Sequence, residues 1–149
     1  MNDSKIIKYL PWYNILGGLA GMLLVIYNVF VTNASQNLYQ LLFFLFYLFI
    51  FSSGIKFKND KSKKFYFILS QILQILSFSI HNVIDYFFCA GFFIGVKIEG
   101  LKISFSLELM KVHFRVVLEN DTPSSIIVNI IPILIVVYLS RKVKIPTRM

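Results

Sequence analysis

Four long apolar stretches, set apart by more polar or lysine-rich segments, constrain this chain more than any other feature. A helix that crosses a bilayer needs roughly 20 mostly apolar residues in a row. The first stretch, 10–31, is interrupted only by Pro11, Asn14 and Asn28, with Pro11 expected in the first helical turn. The second, 38–55, is dense in phenylalanine, and the third runs from 65 to 90. The fourth, 124–140, contains Asn129 and Pro132. It reaches only ~26 Å as a helix against a ~30 Å core, so a re-entrant segment is its alternative and a kink is expected at Pro132.

Composition agrees. The chain is 57% hydrophobic and 15% charged, where a soluble domain is about 45–50% apolar and about 25% charged. A water-soluble enzyme and a disordered chain are both excluded. The fold class expected is an α-helical integral membrane protein: one membrane domain with four transmembrane helices and a small β-hairpin-like outside segment, 91–123, between the third and fourth. Lys5 and Lys8 before the first stretch and Thr32-Asn33-Ala34 after it also suit a signal peptide. Such peptides have an apolar core of only ~7–15 residues, so the stretch is read as a retained anchor.

Lysines set the orientation. Lys5 and Lys8, then Lys56, Lys58, Lys61, Lys63 and Lys64, then Arg141, Lys142, Lys144 and Arg148 all fall on one side of a four-span map. The positive-inside rule makes that side cytoplasmic, with both termini there, as in an inner membrane. The net charge of +8 is then a topology signal, and nucleic-acid binding is not expected because no stacking platform accompanies the lysines. The lysine-rich loop 56–64 suits anionic lipid headgroups or a soluble cytoplasmic partner.

Within the outside segment, residues 96–109 alternate with period two, the phase slips at Met110 and Lys111, and alternation resumes from Val112. Strands are expected, with a turn at Gly100, in preference to a helix over 106–118. Such a module is marginal alone and must rest on the bundle or pair with another copy, which motivates a homo-oligomer.

The third stretch carries a polar stripe. At 100° per residue Ser70, Gln74, Ser77, His81 and Asp85 share one helical face, with Gln71 and Asn82 beside it. Polar groups inside a membrane either glue helices together or line a wet path. Gly17 and Gly21, a GxxxG pair, permit close helix packing. One cysteine, Cys89, excludes an internal disulfide, and no soluble-enzyme motif or metal-ligand spacing is present. No cofactor and no catalytic residue are expected, a lipid enzyme built on His81 and Asp85 being a minor alternative. The sequence points to a non-enzymatic, homo-oligomeric ion-conducting pore or membrane-state sensor, and next to an accessory subunit that docks a partner through its basic loop.

Overall fold

The computed structural model describes residues 3–31, 37–80, 84–109, 112–116 and 124–142. Helices α1 (Asp3–Val31) and α2 (Asn37–Asn59) form a hairpin, followed by a 3₁₀ turn (Lys61–Lys63) and α3 (Lys64–Ile72). Strands β1 (Leu76–Ile80), β2 (Ile84–Phe88), β3 (Phe92–Glu99), β4 (Lys102–Leu109), β5 (Val112–Val116) and β6 (Ser125–Asn129) come next, and α4 (Ile130–Lys142) ends the order. The strands make one antiparallel sheet in the order β4-β3-β6-β1-β2-β5.

Two helices are long and apolar enough to cross a membrane, Lys5–Phe30 and Gln40–Asn59. The expected bundle of four spanning helices is therefore corrected. The third stretch is helical only as far as Ile72, where the Gln74 N–H bonds to the Gln71 carbonyl and Ile75 to Ile72, tight closures that end α3. Leu76-Ser77-Phe78-Ser79-Ile80 then alternates with period two, which a strand sorts onto two faces and a helix does not. The fourth stretch inverts this order. Ser125-Ile126-Ile127-Val128 is strand, and the Asn129 side chain accepts from the Ile131 N–H at 3.2 Å, opening α4. Both switches sit at one level, because the Asn129 N–H bonds to the Ile75 carbonyl at 2.8 Å.

The outside segment is corrected with it. The sheet is not confined to 91–123 but recruits β1, β2 and β6 from the stretches expected to be helical. Residues 102–109 and 112–116 are strands rather than helix, and Gly100 makes the β3–β4 turn with φ 58°. The expected slip at Met110 and Lys111 lies outside the described residues. Two proline expectations shift as well. Pro11 falls inside α1, which begins at Asp3, and Pro132 falls in the first turn of α4, where its missing N–H costs nothing.

Packing divides the molecule at the switch level. On the lysine-rich side, Phe57, Phe67 and Leu139 form a core with Ile7, Leu10, Ile135 and Tyr138, so α1, α2, α3 and α4 all meet there. On the other side, Val25, Phe43, Tyr47 and Ile50 of the hairpin bury Phe88 and Ala90, at the base of the sheet. The outer flank of the hairpin stays uncovered, with Leu16, Leu23 and Phe30 of α1 and Leu41 and Leu45 of α2 exposed.

Candidate functional site

The site grows from one asparagine. Asn14 lies on the α1 face turned to α2 and α3, fully buried, and its amide nitrogen donates to Ser53 Oγ at 3.0 Å and Ser70 Oγ at 2.7 Å. Both hydroxyls spend their own protons on backbone carbonyls one turn back, Ser53 on Ile50 and Ser70 on Phe67, each at 2.7 Å. They are therefore free to accept, and the Asn14 amide supplies the two protons they need. Gln71 Nε2 donates to Asn14 Oδ1 at 2.6 Å. Three helices are thus joined by a neutral polar cluster that contains no titratable group.

Gln74 extends the seam to the sheet. Its Nε2 donates to the Ser70 carbonyl, and its Oε1 accepts from the Ala90 N–H, both at 2.9 Å. The chain over 88–92 then lies along the middle of the hairpin. Tyr47 donates to the Cys89 carbonyl and Tyr13 to the Phe92 carbonyl, both at 3.2 Å. A Cβ on Gly17 would sit 2.8 Å from the Ala90 carbonyl oxygen, and one on Gly21 would run into the Tyr47 ring. Cys89 is buried beside Phe93 and Ile127, with Asn129 Nδ2 3.9 Å from its sulfur. The sheet springs from the midpoint of a membrane-length helix, not from its end.

The expected stripe is accounted for residue by residue. Ser70, Gln74 and Ser77 are each buried within the protomer, the first two inside the seam and Ser77 on β1. Gln71 Oε1 and Ser77 Oγ are buried without a hydrogen-bond partner. Asp85 lies on β2, in register with Ser79 on one side and Arg115 on the other, and so is not on a helix. His81 lies outside the described residues. Gly17 and Gly21 face partners inside their own chain. Asn14 and Ser53 are the seam residues that sequence reasoning missed; a lone asparagine in an apolar run was the available signal, and its partner helix was not.

At the opposite end the lysines close over aromatic rings. Lys58 Nζ stands 4.0 Å from the Trp12 ring centre, Lys61 4.4 Å from Phe57, Lys56 4.7 Å from Tyr66 and Lys8 5.9 Å from Tyr9. Lys61 also donates to the Ile7 carbonyl at 3.3 Å, and its burial draws its pKa below the usual lysine value. Lys64 is buried, and Lys63 belongs to the exposed turn after Asp60, whose carboxylate accepts from Ser62. Three of the five loop lysines are thus folded down onto rings, as an interfacial collar requires.

At two adjacent levels the register of the sheet sorts residues by chemistry across all six strands. One row reads Ile103, Ile98, Ile126, Phe78, Tyr86, Phe114, and the adjacent row reads Lys102, Glu99, Ser125, Ser79, Asp85, Arg115. On the first face the apolar side chains are open, Phe105 at 82% and Leu107 at 79% exposure, and a groove of about 630 Å³ there is walled by Leu76, Phe78, Ile80, Ile98 and Ile126. On the second face Ser77, Ser125 and Asn129 are buried together with Phe93, against which Ile127 packs, and Lys97 pairs with Glu99 at 2.5 Å. Among the described residues no group of three or more His, Cys, Asp or Glu could hold a metal ion.

No protein-family model matches the chain, and no curated protein and no solved structure matches it at a significant level. The functional reading therefore rests on the geometry above.

Proposed function

We propose that this chain is a non-enzymatic, multi-pass membrane protein that forms an ion-conducting homo-oligomer, with the accessible part of the sheet's polar face, at Lys97, Glu99, Lys102 and Ser104, as the hydrated wall of the path. The observation that carries the reading is the pairing of an all-apolar row with an all-polar row across six strands, anchored at mid-height on a membrane-length hairpin. If the hairpin spans, the base of the sheet at 88–92 stands near mid-bilayer, ~15 Å from either surface of a ~30 Å core. Strands of five to eight residues that start there cover ~16–26 Å and must run through hydrocarbon before they reach water. An apolar face toward lipid and a polar face away from it is the alternation membrane strands need. The lysine and aromatic collar then lies at the cytoplasmic surface, together with the first residues of α1 and the last of α4. The scaffold alternative draws less support, because the lysines it would use are already engaged with Trp12, Tyr66 and Phe57.

Two measurements test this reading. Trp12 is the only tryptophan, so in liposomes its fluorescence should be quenched most by lipids labelled near the glycerol level. Strongest quenching by chain-end labels would remove the collar from the interface. In proteoliposomes the wild type should pass monovalent ions, and Glu99→Gln should reduce the preference for cations over anions by about threefold to tenfold, as loss of a lining charge does. Impermeable vesicles with both proteins would overturn conduction.

A further inference from the structure

We infer that β4 is the self-association edge of this protein, pairing antiparallel with β4 of a second copy about a two-fold axis at Phe105. The inference deepens the proposed function by naming the contact between subunits, and it rests on that reading only for the depth at which the contact forms.

β4 pairs with β3 on one side and, among the described residues, is the outermost strand on the other, with Lys102–Leu109 presenting eight residues. An edge of this length invites pairing, and in hydrocarbon its outward N–H and C=O groups must find partners. β4 carries no proline or glycine to deter a partner, and its apolar residues Ile103, Phe105 and Leu107 stand 70–82% exposed.

The sequence of the edge is self-complementary at one register. With Phe105 on the axis, Phe105 faces Phe105, Ser104 faces Ser106, Ile103 faces Leu107 and Lys102 faces Glu108 of the second copy. Each apolar residue meets an apolar one, each hydroxyl a hydroxyl and each charge its opposite, the cross-strand pairings that stabilise antiparallel strands. Moving the axis to Ser104 or Ser106 keeps the faces matched but loses the charge pairs. Any slip by one residue sets Lys102 against a leucine and Ser104 and Ser106 against apolar residues. A two-fold contact uses the same patch on both subunits, so one complementary strand is enough.

The rival occupant is the chain's own β5. The two-residue connection, 110–111, holds Val112 within ~11 Å of Leu109. Yet β4 and β5 form the two ends of the strand order and share no ladder among the described residues. β5, with five residues, would also leave part of the β4 edge open.

The test uses the full-length protein in mild detergent and in nanodiscs. Copper-phenanthroline oxidation of Phe105→Cys should give a disulfide-linked dimer, because facing residues lie ~4.5–5.5 Å apart at Cα. Leu101→Cys, fully exposed at the β3–β4 turn, should not, since its two copies would stand ~26 Å apart. Native Cys89 is buried and stays in place. Lys102→Glu and Glu108→Lys should each weaken self-association about tenfold, and the double reversal should restore it to within about threefold, with circular dichroism confirming folded protein. No Phe105→Cys dimer, equal cross-linking at Leu101→Cys, or no rescue by the double reversal would overturn the inference. So would an intrachain disulfide in Leu107→Cys/Phe114→Cys, which would put β5 on the edge. Because association is measured in detergent as well as in bilayers, its failure is separable from loss of ion flux or of Trp12 depth.

Discussion

Asn14→Leu should lower the stability of the folded protein by about 3 kcal/mol, read by equilibrium unfolding in mixed micelles. The substitution removes three hydrogen bonds, from the Asn14 amide to Ser53 and Ser70 and from Gln71 to Asn14. At the ~0.6 kcal/mol average for such bonds within membranes, three account for about 2 kcal/mol. The remainder comes from Gln71. Its Oε1 already lacks a partner, so losing Asn14 would leave its whole buried amide unsatisfied, at a cost of about 1–3 kcal/mol. The double variant Asn14→Leu/Gln71→Leu should therefore recover part of the loss, because no orphaned amide remains. A double variant as unstable as the sum of the two single changes would mean that the seam contributes by shape and not by hydrogen bonding.

Gly18→Val should cost more, about 4 kcal/mol, and should separate the hairpin. A Cβ at Gly18 would meet the Phe51 backbone nitrogen at 2.6 Å and the Phe51 Cα at 2.9 Å. Backbone inside a helix cannot swing aside, so α1 and α2 must move apart by nearly 1 Å. Overpacking of this kind typically costs 1–3 kcal/mol by itself. Here the displaced contact lies one turn from the Asn14–Ser53 bond, so part of the polar seam is lost with it. The contrast is Gly21→Ala, where the obstacle is the Tyr47 side chain. That ring can rotate at the expense of its bond to the Cys89 carbonyl, and the effect should be about 1–2 kcal/mol. Equal losses at the two positions would show that backbone contact is not what makes Gly18 critical. Thermal unfolding followed by near-ultraviolet circular dichroism reads both.

The reason the third and fourth stretches read as helices, and are not, lies in what hydropathy can resolve. Leu76–Ile80 and Ser125–Val128 are as apolar as the helices they continue, and a sliding window reports transfer free energy without regard to backbone conformation. The finer signal was present: Ser77 and Ser79 alternate with Phe78 and Ile80, and Ser125 precedes three β-branched residues. The helical period places Ser70, Gln74 and Ser77 in nearly the same direction, and all three are buried, so the polar stripe looked continuous through a change of structure. Ser70 and Gln74 do share a buried face; Asp85 followed the helical arithmetic onto a face that does not exist where 76–80 and 84–88 are strands. The seam was half legible. One of its residues, Asn14, was visible as a polar interruption of an apolar run, but that it faces Ser53 depends on how α1 and α2 rotate against each other.

What the amino-acid order determined alone is local: two helices long and apolar enough to cross a membrane, lysines close in sequence to Trp12 and Tyr66, and alternation through β3 and β4. These follow from local composition, because helix apolarity and strand periodicity are set by neighbouring residues. The tertiary structure decided that 76–80, 84–88 and 125–129 join those strands in one sheet. A strand is stable only when backbone groups distant in sequence complete its ladder. The Asn129–Ile75 bond that sets the switch level links residues too far apart in the chain for any local pattern to pair.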